Sequence, residues 1–307
     1  MTSRALNTVA RPGAILSQLW PPADQQPGLS LRGLTAVADE DFFEAVLASP
    51  ISDAGERREI AALVADKGIH LTYGMIPLIT AQGLSLATSD ADLRARSVVA
   101  IQQRCDEARE AGAMAIMVSP GPAPASEAER QEALALLTDS LKALCAAAPD
   151  LRVMIEPLDV TVHKKQALGY TPEAIALAED VRSGPGQFAL CLDTAHIALN
   201  GEDVAAALAM GSELASTWHF CNAVTTPGLD MYGDHHPPLG APGFLDVPMM
   251  ADLMAVGREI GFLGERRPEL MIEQFNYDRD DFDAGLAIMR LARQNLTTAW
   301  ELATAPQ

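Results

Sequence analysis

The chain has 307 residues, 49% of them hydrophobic and 21% charged, which supplies a large apolar core and excludes a disordered or fibrous protein. Twenty-two Lys and Arg against 41 Asp and Glu leave a formal net charge of −19 at pH 7. Such a field repels nucleic-acid phosphates and anionic lipid, so neither nucleic acid nor a membrane surface is an expected partner.

The length exceeds the roughly 100 to 200 residues of a usual single core, but α/β barrels run to about 250 residues as one domain. The first 23 residues carry Arg4 and Arg11 and no acid, yet lack a hydrophobic signal core, so they are expected to belong to the mature chain. Cys105, Cys145, Cys191 and Cys221 lie far apart with no CxxC pair, which fits a reduced cytoplasm. The longest alanine-rich stretch, near 133–148, is broken by Asp139, Ser140 and Lys142 and falls short of the roughly 18 apolar residues of a spanning helix.

Short apolar runs alternate with longer segments of helical period. Runs at 13–20 and 43–48 open the series as predicted strands. A helix over 55–67, with Ile60, Leu63 and Val64 on one face, is closed by Gly68 before a strand at 70–76. Ser89 with Asp92 reads as a capping box for a helix over 90–111, whose apolar face is Val98, Ile101, Cys105 and Ala108, and Gly112 ends it. A strand at 113–118 follows, then a second capping box at Ser126 and Glu129, then strands at 151–155 and 187–192 with a helix starting at Thr171-Pro172 between them. Gly211 is predicted to close a helix before the last two strands, at 216–221 and 270–272. No linker interrupts the eight units, so a single (β/α)8 TIM barrel over residues 1–307 is the expected architecture. A doubly wound open sheet is the competing α/β arrangement, but no GxGxxG or GxxxxGK[ST] follows a strand.

In a barrel, the C-terminal ends of the strands converge on one mouth. Glu156, Asp193, His219 and Glu273 all fall at such ends, in the last four strands. Singly, Glu156 or Asp193 could cap a helix and His219 could be a core histidine. Jointly, three buried carboxylates would repel one another unless a divalent cation neutralised them, and an oxygen-rich set without thiolate suits Mn²⁺, Mg²⁺ or Co²⁺. His70 begins a strand and is expected at the barrel bottom, whereas Trp20, Trp218 and Phe275 could stack on the apolar face of a sugar at the mouth.

The strings Ile155-Glu156-Pro157-Leu158, Leu192-Asp193-Thr194-Ala195-His196, His219 with Phe220 and Asn222, and Ile272-Glu273 resemble the xylose isomerase-like TIM-barrel family of sugar isomerases and epimerases, best over 113–275. The resemblance implies one divalent metal on Glu156, Asp193, His219 and Glu273, proton exchange with substrate by the two glutamates, substrate contact by His196, and pairing of copies. Related epimerases carry a second Glu after the fifth strand and an Asp-Arg-x-x-Pro-Gly-x-Gly loop after the metal histidine. This chain has Asp159-Val-Thr-Val-His163-Lys164-Lys165 at the first place and Gly233-Asp234-His235-His236-Pro237-Pro238-Leu239-Gly240 at the second. His163 or Lys164 could reach the substrate from one rim, and Asp234, His235 or His236 could replace the missing arginine. After the last strand, at 270–272, no Arg appears until Arg279, which favours an unphosphorylated keto-sugar or polyol.

Three other readings stay open. The same enolate chemistry could expel a β-substituent, making a lyase or dehydratase acting on keto-sugars or keto-glycosides. Apurinic-site endonucleases share the barrel but need a basic groove. A non-catalytic barrel would leave the strand-end acids idle.

Overall fold

The computed structural model of the protein describes residues 5–21 and 26–305. Its strands are β1 (Arg11–Ile15), β2 (Ala45–Ala48), β3 (His70–Gly74), β4 (Ala115–Val118), β5 (Arg152–Ile155), β6 (Gln187–Asp193), β7 (Ala215–Cys221) and β8 (Glu269–Glu273). They pair in parallel, in chain order, and close with β8 on β1. The helices expected between them form the outer ring.

Side chains alternate across each strand, so one parity faces the barrel axis and the other faces the helices. The inward parity packs a small apolar plug that includes Ile15, Leu47, Met117, Met154, Cys191 and Met271. Gly13 belongs to this layer, where an added Cβ would lie 2.8 Å from Met271. The outward parity feeds the main core, with Val153, Leu190, Trp218, Phe220 and Leu270 packed under the helices. Continuing the inward parity from Cys191 and Met271 by two residues reaches Asp193 and Glu273, and from Met154 it reaches Glu156. The register shift between Leu190 and Cys191 then sets Asp193 directly opposite His219. At the other end of the barrel, His70 approaches Glu269 to 3.6 Å, the bottom position expected of it.

Several local expectations shift by a residue or more. The first strand ends at Ile15, because the chain turns at once into a short helix, Leu16–Leu19, rather than remaining extended to residue 20. Asp90, not Ser89, caps the helix Ala91–Glu110, since its carboxylate accepts from the backbone N–H groups of Asp92 and Leu93. Ser126 and Glu129 form the expected capping box, whereas Thr171 is already helical and Tyr170 occupies the cap. Gly68 terminates its helix at φ 64°; Gly211 is the last helical residue of Val204–Gly211 and instead packs against Leu192. None of the described helices is long and apolar enough to cross a membrane.

Candidate active site and metal centre

Glu156, Asp193, His219 and Glu273, spread over four strands, bring their donor atoms within 4.8 Å of one another. Atoms bound at roughly 2.2 Å to one ion lie at most about 4.4 Å apart, so a small contraction closes the shell. His219 Nδ1 stands 3.2 Å from Glu156 Oε1, 3.1 Å from Glu273 Oε2 and 4.0 Å from Asp193 Oδ2. Asp193 also caps the helix Thr194–Leu199: its Oδ1 accepts from Ala195 N–H and His196 N–H at 2.7 and 3.2 Å. The cap uses one oxygen only, and Oδ2 is a buried acceptor with no donor.

The electrostatics match that geometry. Burial, followed by the nearby Glu273 and Glu156, pushes the Asp193 carboxyl up to about 7. Burial opposes a charge on His219, yet Cys191, Glu156 and Glu273 raise its pKa well above the usual value. One shared proton cannot satisfy three carboxylates, whereas a dication can. Cys191 lies close enough to Glu156 and His219 to ligate, but burial holds its thiol up at about 12, so the donor set stays hard. The four residues therefore fit a divalent metal.

Above this cluster, two buried aspartates organise the rim. Asp159 accepts from the backbone N–H groups of His163 at 2.6 Å and Lys164 at 3.0 Å, and lies 3.3 Å from His196 Nδ1. Asp234 stands 3.0 Å from Lys164 Nζ, 2.9 Å from His236 Nε2 and 3.7 Å from His196 Nε2. Burial would raise its pKa, but His196, His236 and Lys164 hold it well below the usual carboxylate value. Around His196, burial is outweighed by Asp234 and Asp159, which carry its pKa up to about 10.

Gln18 completes the rim. Its Nε2 donates to Glu273 Oε1 at 2.6 Å, which leaves Oε1 facing His236 Nδ1 at 3.2 Å. Nδ1 must then donate, and Nε2 must donate to Asp234, so the hydrogen-bond pattern assigns His236 as an imidazolium. Its backbone sits in the left-handed region, at φ 52°, a strained conformation of the kind that aims side chains at functional sites. The sequence reading missed Gln18, because a first strand running to residue 20 buries it in mid-sheet. It also passed over Asp159, whose place in a stretch that departs from related epimerases was the available signal.

These groups open on a cavity of about 480 Å³. Glu156, His219 and Glu273 line its floor, with His163, Lys164, His196, Asp234 and His236 above. His235 does not line it: it is exposed, its ring 4.4 Å from that of His163 and its carbonyl accepting from the Tyr277 hydroxyl. Nor do the aromatic residues expected to meet a sugar there line this cavity. Trp20 is sealed against Phe282, 4.8 Å away, and donates to its carbonyl. Trp218, next to inward-facing His219, necessarily points outward and stacks on Phe262 at 4.4 Å. Phe275 packs edge-on to Tyr277.

Comparison with curated protein sequences finds no significant match. Among solved structures, the chain is similar to an L-ribulose 3-epimerase, at 19% identity and TM-score 0.69 over 96% of this chain and 95% of that one. It is also similar to the 3-keto-D-glucoside 4-epimerase from E. coli, at 15% identity and TM-score 0.64 over 92% and 99%. The IolI protein, solved with a bound zinc atom, aligns at 12% identity and TM-score 0.73 over 96% and 100%. At such identities these likenesses speak for the fold. Residues 32–293 match the family described as xylose isomerase-like TIM barrel, and with most of its length so covered this chain belongs to that family.

Proposed function

We propose that the protein is a metal-dependent isomerase or epimerase that moves a proton at a carbon next to the carbonyl of an unphosphorylated keto-sugar or related polyol. The observation that carries this reading is the pair Glu156 and Glu273: both line the cavity, both approach His219 Nδ1, and they rise from non-adjacent strands β5 and β8. Two carboxylates on different sides of one substrate carbon can remove its proton from one face and return a proton to the other. A divalent cation, Mn²⁺ foremost with Mg²⁺ or Co²⁺ as alternatives, would supply the positive charge that stabilises an enediolate.

The remaining groups bind and orient. His196 and Lys164 present donors to substrate hydroxyl and carbonyl oxygens, while Asp159 and Asp234, the latter held by His236, fix where those donors point. Gln18 holds Glu273 through one oxygen and leaves the other for the ion. The solved epimerases with the same fold act on sugars, in keeping with this reading. Four free, buried thiols suit a reducing compartment such as the cytoplasm.

The test follows solvent deuterium entering candidate ketoses. Exchange is expected with Mn²⁺ present, and either chelator or Glu273→Gln is expected to abolish it; exchange undiminished by both contradicts the proposal. A second reading, β-elimination from a keto-glycoside, draws on the imidazolium of His236 at the cavity wall, a group able to protonate a departing oxygen. Product analysis separates the two, since only elimination releases the substituent.

A further inference from the structure

A second cavity, of about 630 Å³, abuts the catalytic one. Thr80, Ser119 and Gln166 line both. Its floor is apolar, formed by Ile79, Leu84, Leu93 and Leu136, and among the described residues the only charged side chains lining it are Glu129 and Glu132. The catalytic cavity has the opposite character, crowded with ionic groups.

The boundary between them is built from fixed backbone. Gln166 accepts from Gly121 N–H at 2.9 Å and donates to the Lys164 carbonyl at 3.1 Å, so its amide is committed on both sides. Ala123 N–H donates to the Lys165 carbonyl at 2.7 Å and Ala167 N–H to the Gly121 carbonyl at 2.9 Å, which ties the loop after β4 to the loop after β5. The second cavity is thus framed by the loop that also carries His163 and Lys164.

We infer that the substrate is a sugar bearing an uncharged apolar substituent, of the aryl or alkyl glycoside class, whose sugar ring occupies the catalytic cavity and whose substituent occupies this second one. The inference rests on the proton-transfer reading above for the identity of the first cavity. It disfavours an anionic substituent, because among the described residues two acids and no cation line the second cavity. It also constrains the chemistry: a substituent on the anomeric carbon locks that carbon as an acetal, so the carbonyl that acidifies a neighbouring C–H must stand on another ring carbon. A 3-keto-glycoside meets that condition, with acidic hydrogens on both flanking carbons.

Calorimetric titration of the Mn²⁺-loaded protein with two unreactive probes, methyl β-D-glucopyranoside and 4-nitrophenyl β-D-glucopyranoside, tests the second subsite without turnover. The aryl probe is expected to bind about tenfold tighter or more, the gain of burying one ring. Leu136→Gln and Leu93→Gln, both at half-buried positions that tolerate polarity, are each expected to shrink that ratio to about threefold or less. Equal affinity for the two probes, no binding of the aryl probe, or an aryl preference retained in both folded variants overturns the inference. Deuterium exchange into the 3-keto forms of the same two glycosides is scored separately. Exchange without aryl preference removes the subsite alone, and aryl preference without exchange into any keto-sugar removes the proton-transfer reading alone.

Discussion

Replacing Asp193 with asparagine separates the two tasks of its carboxylate. Asparagine keeps the Oδ1 acceptor that caps Thr194–Leu199, and Asn and Asp are near-equal N-caps, so helix capping changes by only about a few tenths of a kcal/mol. The donorless Oδ2, by contrast, becomes an amide that cannot neutralise a cation. If the wild type binds Mn²⁺ as proposed, the ion at about 100 times its Kd is expected to stabilise it by about 2.7 kcal/mol, or roughly 5–10 °C in Tm at roughly 2–4 °C per kcal/mol. Asp193→Asn is expected to lose that increment. The metal-free proteins should differ in the opposite sense. The Asp193 pKa is raised on folding, to about 7, so the native state holds a proton that the unfolded chain releases near 3.8, and stability falls as pH rises through that window. Above that window the buried charge is a cost to the metal-free native state, which the variant escapes. Differential scanning calorimetry with chelator, from pH 4 to 8, should show the variant's Tm advantage growing with pH. A flat difference, or a full Mn²⁺ shift retained by the variant, refutes the reasoning.

Glu156→Gln should cut deuterium exchange by about 10²-fold or more, the usual worth of a positioned base, while circular dichroism stays unchanged. Asp234→Asn should raise KM and alter the pH profile as Lys164 and His236 lose their anchor, and lower stability by about 3–5 kcal/mol, the range for breaking a buried charge set; unchanged KM with unchanged Tm contradicts the rim assignment. Asp159, whose pKa is carried down to about 2 by His196 and the His163 and Lys164 amides despite burial, adds stability above pH 3.8 that is lost as pH falls toward 2. Asp159→Ala should therefore flatten the acid side of the stability profile and cost about 1–3 kcal/mol at neutral pH, readable by urea titration. Gly285→Ala would press a methyl group against the Trp20 ring and to 2.6 Å from the Leu19 carbonyl, so Tm should drop by an amount equivalent to about 1–3 kcal/mol.

The eight-unit barrel, and the gathering of Glu156, Asp193, His219 and Glu273 at its mouth, were legible in the sequence because strand parity and strand ends are local properties. Met154 to Glu156, Cys191 to Asp193 and Met271 to Glu273 are each two-residue steps along one face, so a chain that packs the first of each pair inward must aim the second at the mouth. The same rule, applied to His219, already sends Trp218 outward, and its expectation as a sugar platform ignored that signal. Trp20 failed for another reason: its position depends on the turn after Ile15, which no period reveals.

Two features of the rim were beyond any local reading. Asp159 and Asp234 lie 75 positions apart in the chain, and each becomes a hub only because the loops after β5 and β7 meet over the barrel. Gln18 reaches Glu273 across 255 positions for the same reason, through the closure of β8 on β1. The sequence alone determined which side chains face inward, since alternation along a strand is set by covalent geometry. Only the tertiary structure decided which charges neutralise one another and where the second cavity lies, because Coulomb and packing energies depend on distances that closing the barrel creates.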